Sequence, residues 1–386
     1  MSHRRIWLVA GEDSGDQLGA KLIRALRALS PEPPVFGGVG GEAMIAEGFV
    51  SLFPIDDVAV MGYLPVAARL PTLLRRIRQT VADVVAARPD VLVIIDSPGF
   101  THAVATRVRK RLPGLPIVDY VSPSVWAWRP WRARGMRPFI DHVLALLPFE
   151  PDAHRRLGGP PCTYVGHPLI ERLDELRPDA DEARAREREP FVLAVLPGSR
   201  RSEIERLMPV FGETLARLVR RVGPVEAVLP AVSRHRALIE RLALAWEVPV
   251  RLAHGHEPKY ALFRRARAAL AASGTVTLEL ALAGLPMVVA YKVSRIEEAI
   301  GRRLIQVPTI VLPNLILSEN AMPEFIQGDC TAPRLVEALA PLLTGGPART
   351  TQLLALSRLD GLMRLPGDEE PSRAAARIVL EARRAG

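Results

Sequence analysis

An aspartate directly follows one of the most apolar runs of the sequence. The run spans Val91–Ile95 and is typical of a parallel strand buried on both faces, with Asp96 at its carboxyl end. Ligands of open α/β sheets bind at such strand ends, and a carboxylate held there could accept the proton of an attacking hydroxyl group. A helix cap, with Pro98 forming the turn, is the alternative. The position alone leaves both interpretations open.

Two short loops in the second half each follow an apolar run and precede a helical pattern. Such a loop presents backbone N–H groups and a helix N-terminus to a phosphate. An arginine beside the first loop would stabilise a diphosphate leaving group, and a glutamate in the helix after the second could accept ribose hydroxyl groups. The candidate residues are Gly198, Ser199, Arg200, Ser273, Gly274, Thr275 and Glu279. The two loops together predict a site for a nucleotide diphosphate.

A third loop, at residues 10–16, lies between the first predicted strand and the first predicted helix. Its glycines have the spacing of neither a dinucleotide fingerprint nor a P-loop. Its three carboxylates would repel a pyrophosphate, so sugar hydroxyl groups are the better ligands. Glu12, Ser14 and Asp16 are therefore candidate sugar-binding residues, although Ser14 or Asp16 could simply cap the helix.

A fourth segment, at residues 120–129, combines tryptophans with arginines. Aromatic faces stack on sugar rings or line an acyl groove, and guanidinium groups pair with phosphate. We take Ser122, Trp126 and Arg129 as candidate acceptor-binding residues. The same composition also fits a core aromatic cluster with solvated arginines, or a site for single-stranded nucleic acid.

Apolar runs alternate with amphipathic helical patterns along both halves of the chain, and these elements must position the loops. The alternation predicts an α/β fold with doubly wound parallel sheets. A charged, proline-flanked stretch near 165–190 separates the halves. We expect two Rossmann-like domains, at residues 1–170 and 171–386, that face each other across a cleft.

Composition narrows the class of protein without deciding it. The 386 residues suit about two domains and carry a net charge of +9. This charge fits nucleic acid, an anionic membrane or phosphate-bearing substrates, or reflects coding bias toward arginine. Two distant cysteines and a short N-terminal apolar run favour a reducing, cytoplasmic location. His254 and His256 lack a third ligand nearby, so we expect no metal site and no cofactor.

Eight motifs, in order along nearly the whole chain, resemble those of lipid-A-disaccharide synthases. The segment Tyr-Val-Ser-Pro-Ser-Val-Trp-Ala-Trp-Arg is long enough to be specific by itself. The family often has Asp-Ala-Pro-Asp-Phe-Asn where this chain has Gly99 and Thr101 in place of the second Asp and the Asn. We interpret this departure as support for Asp96, the acid that is retained. The motifs occupy residues 10–16, 96–100, 120–129, 147–150, 165–169, 196–200, 273–279 and 312–315.

The resemblance implies a GT-B fold and a particular reaction. The donor would be UDP-2,3-diacylglucosamine and the acceptor 2,3-diacylglucosamine 1-phosphate. The products would be the β-1,6-linked disaccharide 1-phosphate and UDP, with inversion at the anomeric carbon. Asp96 would be the base, and Asn314 would join the two loops of the second half in holding UDP. The last helices, at about 332–385, would cross back to the first domain or exchange between the subunits of a homodimer.

The resemblance also implies action at the cytoplasmic surface of the inner membrane. An apolar segment, broken by glycine and proline and followed by arginines, would receive acyl chains and dock on anionic lipid. Its candidate residues are Val60, Met61, Leu64 and Val66. An ordinary buried strand-loop-helix is the alternative interpretation.

Two other functions remain open from the residues alone. The diphosphate loops also fit a sugar-nucleotide epimerase or another glycosyltransferase of the same architecture. A basic nucleic-acid-binding protein is the candidate from a different class; it would bind oligonucleotides with a steep salt dependence and would not bind UDP. Because the basic residues are dispersed and no nucleic-acid motif occurs, we expect no nucleic-acid partner.

Overall fold

The chain folds into two compact units. The computed structural model describes residues 3–59, 63–230, 235–253 and 259–382, without the side chains of residues 63–69, 296, 300, 302 and 303. Unit 1 comprises Met1–Pro168 and Arg364–Gly386, and unit 2 comprises Leu169–Met363. The stretch at 332–385 is therefore divided, because the part before Arg364 belongs to unit 2 and the remainder to unit 1.

Each unit is built on one six-stranded sheet, and all the paired strands are parallel. The strand order is β2-β1-β3-β4-β5-β6 in unit 1 and β12-β11-β10-β7-β8-β9 in unit 2. The strands are β1 (Arg5–Ala10), β2 (Val35–Val39), β3 (Val91–Ile95), β4 (Ile117–Tyr120), β5 (His142–Ala145), β6 (Cys162–Tyr164), β7 (Phe191–Leu196), β8 (Val225–Pro230), β9 (Val250–Ala253), β10 (Ala268–Ala272), β11 (Met287–Tyr291) and β12 (Glu324–Ile326).

Helices connect most of the consecutive strands. The α-helices of the described residues are α1 (Asp13–Leu29), α2 (Glu42–Ala46), α3 (Tyr63–Ala87), α4 (Pro98–Arg111), α5 (Trp131–Met136), α6 (Glu150–Arg156), α7 (Leu173–Leu176), α8 (Ala180–Ala185), α9 (Arg201–Val222), α10 (Arg236–Ala243), α11 (Lys259–Arg265), α12 (Thr275–Leu282), α13 (Arg295–Leu304), α14 (Leu312–Leu317), α15 (Ala332–Thr344), α16 (Pro347–Met363) and α17 (Pro371–Glu381). Short 3₁₀ helices occupy Ile55–Asp57, Pro168–Arg172, Gln327–Asp329 and Pro366–Asp368.

Strands β3 and β10, which lie inside their sheets, are apolar at every position, as expected for parallel strands whose two faces are covered by helices. All five residues of β3 are fully buried, and so are nearly all those of β10. The predicted doubly wound α/β architecture is confirmed in both units.

The order of the strands reverses once in each sheet, and a crevice is expected where it does. In unit 1, β2 lies on one side of β1 and β3 lies on the other. The loops that follow β1 and β3 therefore run in opposite directions from this point of the sheet. In unit 2 the same happens at β7 and β10. Four of the loops selected from the sequence, at 10–16, 96–100, 196–200 and 273–279, lie at these two points.

The proposed membrane segment falls mostly outside the described residues. Val60 and Met61 lie there entirely, and Leu64 and Val66 belong to the first turn of α3 but their side chains are not described. Among the helices that the structure describes, none combines the length and the apolarity that crossing a bilayer requires.

Candidate functional site

The two switch-point loops of unit 2 enclose a pocket of about 530 Å³. Its walls include the loop after β7, the loop after β10, the end of β8 and the start of α11. Two cations and two carboxylates line it, namely Arg200, Lys259, Glu203 and Glu279. The candidate residues Gly198, Ser199, Ser273, Gly274 and Thr275 line it as well. The structure thus brings together all seven residues that the sequence assigned to a nucleotide diphosphate.

Glu203, which the sequence analysis missed, occupies the loop after β7. Its carboxylate accepts hydrogen bonds from the backbone N–H groups of Ser199 and Arg200, each at 3.2 Å, and from the Arg200 guanidinium at 3.2 Å. Gly198 is required here, because its φ is +107° and a Cβ atom would lie 2.5 Å from the Glu203 carboxylate. Two amides expected to bind phosphate are therefore already bonded, and Arg200 is the main cationic donor of this loop.

A second ion pair lies on the side of the pocket formed by α11 and α12. The Lys259 ammonium donates to both carboxylate oxygens of Glu279, at 2.8 and 2.6 Å, and the Tyr260 hydroxyl donates to one of them at 3.2 Å. Burial, followed by the nearby charge of Glu279, raises the pKa of Tyr260 to about 12. These donors fix the orientation of Glu279, the residue predicted to accept ribose hydroxyl groups.

The loop after β10 presents the N-terminus of α12 to the pocket. Gly274 is the N-cap residue and has a φ of +152°, which a residue with a side chain rarely adopts. The Ser273 hydroxyl donates to the carbonyl of Ile310 at 2.8 Å, which anchors the loop from behind. The first turn of α12 therefore offers backbone amides and a positive dipole end to an anion in the pocket.

Asn314 is buried and hydrogen-bonded within the protein. Its side chain is 1% exposed, and it donates to the Met322 carbonyl at 2.8 Å and to Asn320 at 2.9 Å. Its own oxygen accepts the Met322 N–H group at 2.9 Å. Because the amide is saturated within the protein and lies outside the pocket lining, we do not retain it as a UDP contact.

In unit 1 the switch point places Asp96 beside Ser14. The Ser14 hydroxyl donates to the Asp96 carboxylate at 2.8 Å, which joins the loop after β1 to the loop after β3. Asp96 and Ser97 both have left-handed backbone conformations, with φ of 54° and 45°. Val121, at the end of the neighbouring strand β4, has a φ of 88°, which a β-branched residue seldom adopts. Strained backbone of this kind is concentrated at functional sites, which favours a role for these strand ends.

A buried histidine–aspartate pair lies close to Asp96. Nε2 of His102, on α4, is 3.0 Å from the carboxylate of Asp119, which is 1% exposed in β4. Burial raises the pKa of Asp119, the His102 interaction opposes this rise, and the charge of Asp96 adds to it. Asp119 is thus close enough to Asp96 for their charges to interact, although neither motif analysis nor spacing had singled it out.

Asp16 caps a distant helix. Its buried carboxylate accepts the backbone N–H groups of Gly41, Ala43 and Met44, at 2.7, 2.8 and 3.1 Å, at the start of α2. With both oxygens engaged and the side chain removed from solvent, Asp16 has a structural role, but it caps α2 and not α1, the helix named in the alternative interpretation. Ser14 is exposed and Glu12 half-buried, so both have positions that a ligand can reach.

The aromatic segment after β4 contains both buried and exposed candidates. The hydroxyl of Ser122 is buried against His154, at 2.8 Å from Nε2, which assigns it a packing role. Trp126 donates its indole N–H group to the buried carboxylate of Glu150 at 3.0 Å. Arg129 has a left-handed φ of 54° and lies over the exposed ring of Trp128. Of the three candidates, Arg129 and Trp126 are half-buried and can be reached by a ligand, whereas Ser122 is buried.

The buried Glu150 predicts a pH dependence of stability. Burial raises its pKa from 4.5 to about 7, although bonds from Leu147, Trp126 and Leu146 lower it in part. Because the folded state holds this proton more tightly than the unfolded chain, the stability it contributes is complete below pH 4.5 and is lost as the pH rises through about 7. As the pH rises from about 5 to about 8, the wild type should lose up to roughly 3 kcal/mol of its free energy of unfolding relative to Glu150→Gln, which carries no titrating group at this position.

Thermal unfolding of both proteins at the two pH values measures this difference. Glu213→Gln, at an exposed site on α9, is the matched control and should follow the wild type. If the melting temperatures of the wild type and of Glu150→Gln changed by the same amount between the two pH values, Glu150 would not titrate in this range.

Two units, each with a parallel six-stranded sheet and helices, define the GT-B fold class. The chain is similar to UDP-GlcNAc 2-epimerase of Neisseria meningitidis bound to UDP-GlcNAc, with a TM-score of 0.60 and 13% identity over 98% of each chain. It is also similar to MurG of Acinetobacter baumannii, with a TM-score of 0.58 and 11% identity over 98% of this chain and 99% of that one. At such identities the likeness establishes the fold and does not separate transferase from epimerase.

Sequence comparison distinguishes between a transferase and an epimerase. A family model described as lipid-A-disaccharide synthetase matches residues 6–376. The lipid-A-disaccharide synthase of Nitrobacter hamburgensis is 54% identical over 380 residues, which are 98% of this chain and 96% of the relative. The chain therefore belongs to the lipid-A-disaccharide synthase family and is a glycosyltransferase. The resemblance and the fold class predicted from the sequence are confirmed.

Proposed function

We propose that the chain transfers 2,3-diacylglucosamine from UDP-2,3-diacylglucosamine to 2,3-diacylglucosamine 1-phosphate. The 6-hydroxyl of the acceptor attacks the anomeric carbon of the donor, Asp96 accepts the hydroxyl proton, and the bond to the diphosphate breaks with inversion. The observation that carries this proposal is the placement of chemical groups at both switch points: a carboxylate in unit 1 and a charged, amide-rich pocket in unit 2.

The pocket of unit 2 supports the donor half of the proposal. Arg200 and the first turn of α12 would stabilise the negative charge that develops on UDP as it leaves. Ser199 and the loop at 273–275 would complete the diphosphate contacts, and Glu279 would accept the ribose hydroxyl groups. Among the described residues no group of three His, Cys, Asp or Glu side chains is arranged to hold a metal ion.

A role at a membrane surface is part of the proposal, since both substrates carry acyl chains. Leu70 and Leu74 of α3 are exposed, one turn apart, next to the exposed Arg75 and Arg78. This combination of apolar and basic side chains suits an anionic bilayer. It continues the segment that contains Val60, Met61, Leu64 and Val66.

Mass spectrometry of the reaction product tests the proposal. The purified chain, incubated with the acylated donor and acceptor in mixed micelles, should form the tetraacyl disaccharide 1-phosphate and an equal amount of UDP. UDP-N-acetylglucosamine without acyl chains is the control donor and also tests for 2-epimerisation. Folded protein that forms no disaccharide, or that epimerises the control donor, would contradict the proposal.

A further inference from the structure

The segment that follows β4 is basic and lacks acidic residues. Residues 121–140 contain four arginines and no aspartate or glutamate. Among the residues that the structure describes, none of these arginines forms an ion pair, whereas arginines of several other segments pair with carboxylates. The four are Arg129, Arg132, Arg134 and Arg137. Unneutralised cations so concentrated favour an anionic ligand.

Two of these arginines are held in place by the fold. The guanidinium carbon of Arg129 lies 4.2 Å from the centre of the Trp128 ring, and the backbone of Arg129 has the left-handed φ of 54°. The Arg132 N–H group donates to the Arg129 carbonyl at 3.0 Å, so both side chains start from one turn at the beginning of α5. The stacking positions the Arg129 guanidinium and the turn fixes the backbone from which the half-buried Arg132 extends, while Arg134 and Arg137 are exposed on the same segment.

The two guanidinium groups are close enough to oppose each other. Burial lowers the pKa of Arg132, the charge of Arg129 lowers it further, and the charge of Asp119 partly restores it. Asp119 is already engaged by His102, so it cannot fully neutralise the pair. An anion carrying two charges would relieve this repulsion, as a phosphomonoester does near neutral pH.

Asp119 also relates this pair to the proposed base. Asp119 pairs with Ile94 in the sheet, and the Asp96 N–H group donates to the carbonyl of the next residue, Tyr120, at 3.0 Å. Asp119 therefore lies next to the carboxyl end of β3, and its charge interacts with those of both Asp96 and Arg132. An acceptor whose 6-hydroxyl lies at Asp96 carries its phosphate on C1, which the ring oxygen joins to C5, the carbon that bears C6. A single acceptor ring could therefore place its 6-hydroxyl at Asp96 and its 1-phosphate at Arg129 and Arg132.

We propose that Arg129 and Arg132 form a phosphomonoester site that binds the 1-phosphate of the acceptor. The inference rests on the proposed function for the identity of the acceptor. Arg129 presents its planar face to Trp128 and its N–H edge to the phosphate, and Arg132 donates from the half-buried side. The phosphate of an anionic lipid headgroup has related chemistry and is the other source that an experiment must distinguish.

Steady-state kinetics with two acceptors tests the site. One is 2,3-diacylglucosamine 1-phosphate, and the other is its neutral 1-methyl glycoside. We expect Arg132→Ala and Arg129→Ala each to raise KM for the phosphorylated acceptor about 10- to 100-fold and to leave kcat/KM for the neutral glycoside within about threefold. Arg132→Lys should recover part of the loss, because it retains the charge but not the planar fork.

Arg134→Ala is the matched control, since it removes the same charge from an exposed position of the same segment. It should leave both acceptors unaffected. Equal losses for both acceptors in Arg132→Ala and Arg129→Ala, or an equal loss in Arg134→Ala, would overturn the proposal. UDP titration of each variant confirms an intact donor pocket, and formation of disaccharide by the wild type separates failure of this site from failure of the proposed function.

A lipid-binding measurement tests whether Arg132 binds the phosphate of a lipid headgroup instead of the 1-phosphate of the acceptor. Sedimentation with phosphatidylglycerol vesicles and with phosphatidylcholine vesicles should give the same bound fraction for the wild type and for Arg132→Ala. If Arg132→Ala lost binding to phosphatidylglycerol but kept its KM for the phosphorylated acceptor in detergent micelles, the pair would serve lipid headgroups and the proposal would be wrong.

Discussion

Asp96→Asn is expected to reduce kcat about 10³-fold, the loss typical of removing a general base. The substitution is nearly isosteric, and asparagine tolerates the left-handed backbone that Asp96 and Ser97 adopt. The asparagine oxygen can keep the bond from the Ser97 N–H group, and its NH2 group can donate to the Ser14 hydroxyl, which accepts in place of donating, so the loop after β3 should keep its conformation. Only the capacity to accept a proton is lost. The measurement is product formation at saturating concentrations of both substrates.

Asp90→Asn provides a control on the same strand. Asp90 precedes β3, at its amino end, and accepts the N–H group of Arg5 at 2.7 Å. The chemical change is identical, but the carboxylate is at the opposite edge of the sheet, so turnover should stay near that of the wild type. UDP affinity should be unchanged in both variants, because the donor pocket belongs to unit 2. Near-normal turnover by Asp96→Asn would show that another group accepts the proton.

The sequence predicted where the chemistry lies more successfully than which side chains take part. Parallel strands buried on both faces leave an apolar signature, and polar residues directly after such runs must lie at one edge of the sheet. Asp96, Arg200 and Glu279 were found in this way, and the structure places each at a switch point. These local patterns are sufficient because a strand and the loop that follows it are continuous in sequence.

Partners distant in sequence could not be predicted. Asp16 has the same appearance in the sequence as a ligand-binding carboxylate, but its partners are the amides of α2, about 25 residues away. Asn314 is saturated by Met322 for a similar reason. Lys259 was missed because nothing around it resembles a motif; its rarity, as one of four lysines, was the only signal. The roles of these three residues depend on tertiary contacts, which cannot be predicted from a single sequence.

Glu203 alters what is expected of Arg200. Its carboxylate already accepts the two amides of the loop after β7 and also contacts the Arg200 guanidinium. A diphosphate entering the pocket must therefore share the loop with a negative charge, and Arg200 is placed to bridge the two anions. Removing Arg200 would leave Glu203 and the diphosphate to repel each other, in addition to removing charge-assisted hydrogen bonds.

Arg200→Ala is accordingly expected to weaken UDP binding about 10- to 100-fold, with a much smaller effect on UMP, which lacks the β-phosphate. The double variant Arg200→Ala/Glu203→Gln should recover part of the affinity, because it removes the repulsion while leaving an amide oxygen for the loop N–H groups. Isothermal titration calorimetry of UDP and UMP with each protein measures both effects.

Arg201→Ala is the matched control for charge. Arg201 is adjacent in sequence and similarly exposed, but it pairs with Glu205 on α9 at 2.8 Å and does not line the pocket. Its loss should leave the affinities for UDP and UMP unchanged. If Arg200→Ala weakened UDP and UMP equally, Arg200 would not contact the β-phosphate. The charge on the leaving group would then have to be stabilised by the loop after β10 and the first turn of α12, which present backbone amides to the same pocket.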